Sequence, residues 1–282
     1  MNLLEAHNIV LAKLINLYEE REASNIATIL TEHITGFNRT ERLINKKTTV
    51  TALQEAKFNE AINRLLLHEP IQYIVSIAWF YKYPFYVNKN VLIPRPETEE
   101  LVNYVIKEKA NTNPFILDIG TGSGCIAICL KKSMDATVTG IDVSNEALLV
   151  AKKNATDLDA EIEFKQLNFL DNTQWDNIGM FDIIVSNPPY IKYHEQDDMH
   201  KNVLNYEPHL ALFVENDDPL IFYRLIAIFG KKHLHKNGSI WLEINETLGL
   251  ETMSLMAEYG YHTNIIKDMQ GKDRILMACL IY

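Results

Sequence analysis

Cysteine is scarce in this chain. There are three in 282 residues, at positions 125, 129 and 279, and no two of them form a Cys-x-x-Cys pair. An odd number without that spacing excludes a disulfide framework and a structural zinc site, and it fits a reducing cytoplasm. Long hydrophobic runs are missing too, since the apolar stretch Ile74–Phe80 falls far short of the roughly 20 residues a spanning helix needs. The first residues, MNLLEAHNIV, lack a basic start followed by an apolar stretch, so no signal peptide is expected. Basic residues are in deficit, with 27 Lys and Arg against 37 Asp and Glu, for a net charge of −10. A surface that grips nucleic acid must neutralise phosphates, so this balance weighs against direct nucleic-acid binding and suits a basic protein partner better. What remains is the composition of an ordinary folded chain, 47% hydrophobic and 23% charged, without repeats or low-complexity segments. The expectation is a cytoplasmic protein with no membrane association.

Three regions differ in pattern. Residues 1–73 read as a small helical domain. Leu3, Leu4, Ile9, Val10, Leu14 and Leu17 recur at helical spacing, as do Ile26, Ile29, Leu30 and His33, with Ser24 as an N-cap. A further helix over 51–68 stops at Glu69-Pro70, because the residue before proline is pushed out of helical geometry. Residues 74–93 are rich in aromatic and β-branched side chains around Pro84 and read as a β-hairpin linker. From 94 to 282, after Pro94-Arg95-Pro96, helical and strand-like stretches alternate. Strands are expected at 115–120, 137–142, 161–166, 181–187, 239–244 and 275–281, with helices near 97–108, 124–132, 144–155, 220–234 and 248–259. Such alternation specifies an α/β domain whose parallel sheet is covered on both faces.

In open α/β sheets, ligands bind beyond the carboxyl ends of the strands. The first strand of the domain runs into Gly120-Thr121-Gly122-Ser123-Gly124, where glycines allow a sharp turn and a close ligand. A dinucleotide fingerprint would place its third glycine one residue later. The second strand ends in Asp142, whose carboxylate can accept hydrogen bonds from ribose hydroxyls. The third leads to Asn168-Phe169-Leu170, where an amide and a ring could frame an adenine. Together these suit S-adenosyl-L-methionine better than a nicotinamide dinucleotide.

The fourth strand runs into Asn187-Pro188-Pro189-Tyr190. Two prolines remove two backbone donors and leave carbonyls as acceptors. The Asn187 side-chain oxygen and the Pro188 carbonyl can each take a hydrogen of one NH₂ group, and Tyr190 can stack on the flat group bearing it. An amide nitrogen is a poor nucleophile, and two acceptors on its hydrogens return electron density to it. Catalysis is then positioning and electrostatics without a strong base.

The tetrapeptide with its glycine loop resembles the amino-methyltransferases, which act on DNA adenine amines and on glutamine amides. Glu69-Pro70-Ile71-Gln72-Tyr73, Leu92-Ile93-Pro94-Arg95-Pro96-Glu97-Thr98-Glu99 and Tyr206-Glu207-Pro208 narrow the likeness to the PrmC/HemK family, over nearly the whole chain. The resemblance implies a seven-stranded Rossmann-like class I methyltransferase domain behind an N-terminal domain that docks the substrate. It implies transfer from S-adenosyl-L-methionine to the glutamine of the Gly-Gly-Gln loop in class 1 peptide chain release factors. It places cofactor contacts at Gly120, Thr121, Gly122, Ser123, Gly124, Asp142 and Asn187, with Phe169 at the adenine, and substrate contacts at Asn187, Pro188, Pro189 and Tyr190. Where the family often has an acid before that aromatic residue, this chain has Asn168. A ribosomal-protein glutamine or a DNA adenine remains the alternative acceptor.

Other residues read as bystanders. His194, Glu195, Asp197, Asp198 and His200 lack good metal-ligand spacing, and no metal is expected. Cys125 and Cys129 read as small buried groups, Asp273-Arg274 as a structural pair, and His233 and His235 as helix-end surface groups. Arg95 is either a solvent-facing linker residue or an electrostatic contact near the pocket.

Overall fold

The computed structural model describes residues 1–108, 113–176 and 178–281. They form two compact units, Met1–Ile77 with His200–Tyr206, and Ala78–Met199 with the chain from Glu207 onward.

The first unit is helical: α1 (Leu3–Leu14), α2 (Glu20–Thr35), α3 (Arg39–Ile44), α4 (Ala52–Leu66) and α5 (Ile71–Val75). Asn2 and Thr51 cap α1 and α4 through capping boxes, which satisfy N–H groups the first turn leaves open. The core takes Leu3, Ala6, Val10 and Leu14 from α1, Ile26 and Leu30 from α2, and Phe58, Ile62 and Leu65 from α4. Leu4, Ile9, Leu17 and Ile29, expected in the same stripes, face solvent. Ser24 is not an N-cap. The helix starts a turn earlier at Glu20, and its cap residue Glu19 makes no side-chain bond. Glu20 and Glu22 in the first turn favour that start through the helix dipole.

The second unit opens with the hairpin β1 (Ile77–Phe80) and β2 (Tyr83–Tyr86). Its two turn residues, Tyr81 (φ 51°) and Lys82 (φ 81°), are both left-handed, as a two-residue turn matching the strand twist requires. Phe80 and Phe85 are buried in this unit's core, and the Tyr81 N–H donates to the Glu99 carboxylate. Then follow α6 (Pro96–Glu108), β3 (Phe115–Ile119), α7 (Cys125–Ser133), β4 (Thr137–Asp142), α8 (Asn145–Asp157), β5 (Glu163–Gln166), β6 (Phe181–Ser186) and β7 (Ile191–Lys192). After α9 (Lys201–Tyr206), which belongs to the helical unit, come β8 (Phe213–Val214), α10 (Ile221–His233), β9 (Leu234–Glu243), α11 (Gly249–Glu258), β10 (Tyr261–Lys267) and β11 (Asp273–Leu280).

Seven strands make one sheet in the order β10-β11-β9-β6-β3-β4-β5. The expected all-parallel sheet is corrected at one edge, where β11 runs antiparallel to both β9 and β10. A short turn at 268–272 joins β10 to β11, and a connection that short can only produce an antiparallel pair. Strand β10 carries polar residues on its exposed positions and lacks the apolar run by which the central strands are legible.

Side-chain parity divides the core. Ile116, Val138, Ile183, Val185, Trp241 and Ile275 pack under α6 and α7, while Leu117, Ile119, Ile141, Ile184, Ile240 and Leu242 pack under α10 and α11. Alternate residues of a strand point to opposite faces, so the sheet is covered on both. Among the described residues, no helix is long and apolar enough to cross a membrane.

Candidate active site

Strand order reverses between β3 and β6, and the sequence-singled residues gather at the carboxyl ends of β3, β4 and β6. Register fixes their proximity: Ile119 lies opposite Ile141 on one side and Ser186 on the other. Gly120, Asp142 and Asn187, each at or next to those positions, therefore share one crevice.

The glycine loop is tied from behind. Gly120 and Thr121 N–H groups donate to the Ile141 carbonyl, both at 2.9 Å. The Thr121 hydroxyl donates to Asp118 Oδ2 at 2.7 Å, and the Ser123 carbonyl accepts from Asn154 Nδ2 at 2.9 Å. Thr121 and Ser123 are buried, so their side chains shape the loop from its inner side. Gly120 (φ +72°) and Gly122 (φ +54°) face outward: a Cβ at Gly120 would meet nothing within 4 Å, and one at Gly122 only the Gly120 carbonyl at 3.9 Å. A cofactor fits that open space, and a side chain would fill it. Gly124 is required for a different reason, because its Cβ would stand 3.2 Å from Ala151 Cβ and Ile128 Cδ1, where α7 meets α8.

Two acids flank the loop. Asp142 Oδ2 accepts from the Gly122 N–H and Oδ1 from the Ser144 N–H, each at 2.9 Å, which orients a carboxylate with lone pairs to spare for hydroxyls. Burial raises its pKa, against the pull of those N–H groups. Asp118 is fully buried, and its Oδ1 has no hydrogen-bond partner among the described residues. Burial pushes its carboxyl up to about 7. The Thr121 hydroxyl and the Ala127 backbone oppose that rise from behind the loop.

Phe169 is corrected. Its ring is 5% exposed, stacked on Trp175 at 5.2 Å and edge-on to Phe229 at 5.5 Å, so it serves the core beneath the crevice. Asn168 and Leu170 are the exposed side chains of that turn, and Asn168 Oδ1 accepts the Leu170 N–H at 3.1 Å.

Asn187 and Tyr190 are held by two residues that sequence reasoning did not assign to the site. Asn187 Nδ2 donates to Thr98 Oγ1 at 3.1 Å, Thr98 Oγ1 donates to Glu243 Oε2 at 2.6 Å, and the Tyr190 hydroxyl donates to Glu243 Oε1 at 3.2 Å. Glu243 ends β9 and is 2% exposed. Burial raises its pKa, opposed by the Thr98 hydroxyl, by Arg274 and by Tyr190, while Glu97 reinforces the rise. The Tyr190 hydroxyl is pushed up by burial and by Glu243, so it stays a proton donor. Pro188 is buried and Pro189 half-buried between them. A signal for Glu243 exists in the sequence: a lone acid closing the apolar run Ile240-Trp241-Leu242.

The remaining residues lie as follows. Arg95 is not a free surface group; it pairs with the buried Glu207 carboxylate, which also accepts the Ile93 N–H at 3.1 Å. Its charge acts on the Tyr190 hydroxyl, as the electrostatic alternative expected. Asp273 and Arg274 do not pair with each other, because neighbours in a strand point to opposite faces. Asp273 binds Lys267, and Arg274 binds Asp268 and Glu246. His233 is not a free surface group, since its ring stacks on Phe229 at 4.1 Å. His194 binds Asn216 through its N–H and ring. No group of three His, Cys, Asp or Glu that could hold a metal occurs among the described residues; the Asp198 side chain lies outside them.

Comparison with known proteins agrees with this geometry. Residues 98–207 match the methyltransferase small domain, and residues 11–75 match the PrmC N-terminal domain. The chain is 43% identical to the release factor glutamine methyltransferase of Flavobacterium psychrophilum, covering 93% of this chain and 94% of that one. It is 41% identical to the protein of the same name from Bacteroides thetaiotaomicron, over 93% and 95%. A 16S rRNA methyltransferase of T. thermophilus, solved with AdoMet and guanosine, superposes with a TM-score of 0.54 at 17% identity, over 73% of this chain and 50% of that one.

Proposed function

Since this chain belongs to the release factor glutamine methyltransferase family, we propose that it methylates the side-chain amide nitrogen of the glutamine in the Gly-Gly-Gln loop of class 1 peptide chain release factors. The methyl donor is S-adenosyl-L-methionine, which supplies a methyl group on a cationic sulfur. The observation that carries this reading is the strand register that sets Asn187 beside Gly120, so that an acceptor motif and a cofactor loop open on one crevice.

In this reading the open face at Gly120 and Gly122 receives the cofactor and Asp142 takes its ribose hydroxyls. Asn187 Oδ1 and the Pro188 carbonyl accept the two hydrogens of the glutamine NH₂. Tyr190, pinned by Glu243, offers its ring to the amide plane. These contacts would hold the glutamine nitrogen toward the methyl group that the bound cofactor would supply, with the displaced N–H proton leaving to solvent. Residues 1–73 serve as the substrate-docking domain, 74–93 as the hairpin that joins it on, and 94–282 as the methyltransferase domain.

The test is transfer of label from S-adenosyl-L-methionine to a purified release factor. Label should appear on the wild-type loop and vanish when its glutamine is changed to alanine. Equal labelling of both refutes the proposal.

A further inference from the structure

We propose that Thr98 and Glu243 are positioning residues for methyl transfer, acting as a proton-ordered relay that holds the Asn187 amide with its oxygen toward the acceptor nitrogen. This rests on the reading above, in which Asn187 Oδ1 accepts a hydrogen bond from the substrate.

The relay follows from counting protons. Glu243 accepts on both oxygens, the Thr98 hydroxyl proton on Oε2 and the Tyr190 hydroxyl proton on Oε1, so neither oxygen donates to these partners. A threonine hydroxyl has one proton. With that proton committed to Glu243, Thr98 Oγ1 can only accept on its other side, where Asn187 stands at 3.1 Å. The Asn187 atom facing Thr98 must then be the NH₂ group, and Oδ1 is turned away from it. The two ends of an asparagine amide have nearly the same shape, and only hydrogen bonding tells them apart. Without the relay the amide could present NH₂ to a substrate NH₂, donor against donor.

One carboxylate thus serves two residues of the tetrapeptide, Asn187 through Thr98 and Tyr190 directly. Packing alone does not account for an acid here. Burying a carboxylate at the end of an apolar strand is unfavourable, and an apolar side chain of similar volume would be tolerated as well or better. The relay also explains why Thr98, near the start of α6, is buried with its hydroxyl satisfied on both sides.

Glutamine at 243 keeps the shape and breaks the proton order. An amide has one acceptor oxygen and one NH₂, so it cannot accept from both Thr98 and Tyr190. When its NH₂ meets Thr98, the hydroxyl proton is driven toward Asn187 and inverts that amide.

Turnover should be measured with labelled S-adenosyl-L-methionine and a release factor for wild type, Thr98→Val, Thr98→Ser and Glu243→Gln, with cofactor affinity taken separately by calorimetry. Thr98→Val and Glu243→Gln should lower kcat by about 10- to 100-fold, the range expected when an oriented polar group is lost from a reacting centre. Cofactor affinity should change less than about twofold, and Thr98→Ser should restore kcat to within about threefold. In an Asn187→Ala background, Thr98→Val should have no further effect, because nothing is left to orient. Full turnover in Thr98→Val overturns the relay, as do losses that multiply in the double variant. Should Thr98→Val fail to fold, Thr98→Ala, which also removes the hydroxyl, decides by the same comparison, and its full turnover overturns the relay. A wild-type protein that never labels the glutamine removes the underlying reading instead.

Discussion

Asp118→Asn should separate stability from ligand binding. The wild-type carboxyl is fully buried, Oδ2 accepts the Thr121 hydroxyl at 2.7 Å and Oδ1 has no partner among the described residues. Burial lifts its pKa from 3.8 to about 7, with the Thr121 hydroxyl and the Ala127 backbone opposing. A folded pKa above the unfolded one means that the folded protein binds the proton more tightly. Stability from this group is therefore fully present below about pH 4 and is lost as pH rises toward about 7. A rise of about three pH units at about 1.4 kcal/mol each costs about 4 kcal/mol by pH 8, of which about 3 kcal/mol is incurred above pH 5. Asparagine still accepts from Thr121 and does not ionise. Thermal unfolding without ligand should show the variant's advantage over wild type widening by about 6–12 °C between pH 5 and pH 8. Calorimetry should show cofactor affinity close to that of wild type, because the carboxylate lies behind the loop with no atom open to the crevice. A melting difference that stays flat with pH refutes the burial account. A large loss of affinity would show that the carboxylate reaches the cofactor.

The glycines of the loop should fail in different ways. Gly122→Ala puts a methyl group into open space and should abolish cofactor binding at a stability cost of about 1–2 kcal/mol for the left-handed backbone. Gly124→Ala meets Ala151 and Ile128 at 3.2 Å and should lower the melting temperature more than Gly122→Ala does. Calorimetry and thermal scans of both variants check the contrast, and equal melting temperatures would contradict it. Arg95→Ala leaves the buried Glu207 carboxylate with the Ile93 N–H alone. It should destabilise the fold by about 2–3 kcal/mol near neutral pH and by less as pH falls. Burial already raises the Glu207 pKa, and loss of Arg95 removes the main opposing charge. Denaturant titrations at neutral and acid pH measure this, and a pH-independent loss would show that the pair is not the cause.

Much of this architecture was legible from the chain because the central strands are buried on both faces. Runs such as Phe115–Ile119 and Phe181–Ser186 are short, mostly apolar and bounded by loop residues. The glycine loop and Asn187-Pro188-Pro189-Tyr190 were legible because a turn at a strand end needs unusual residues. Strand β10 was not, since its exposed positions are polar, and the sense of β11 depends on a turn that periodicity does not report. The ring of Phe169 misled because an aromatic residue after a strand looks the same whether it faces a ligand or Trp175 and Phe229. Thr98 and Glu243 lie 145 residues apart, and no local pattern pairs them. Only the sheet order, with β9 beside β6, brings Glu243 to the end of the strand that carries Asn187.

The central claim is that Asn187 presents a glutamine amide to the methyl group. Mass spectrometry of release-factor peptides after incubation with S-adenosyl-L-methionine tests it most directly, using wild type beside Asn187→Ala. Wild type should add one methyl group to the side-chain amide of the Gly-Gly-Gln glutamine. Asn187→Ala should transfer far less in the same time while still binding the cofactor. A methyl group on another residue, or undiminished transfer by Asn187→Ala, would contradict the account.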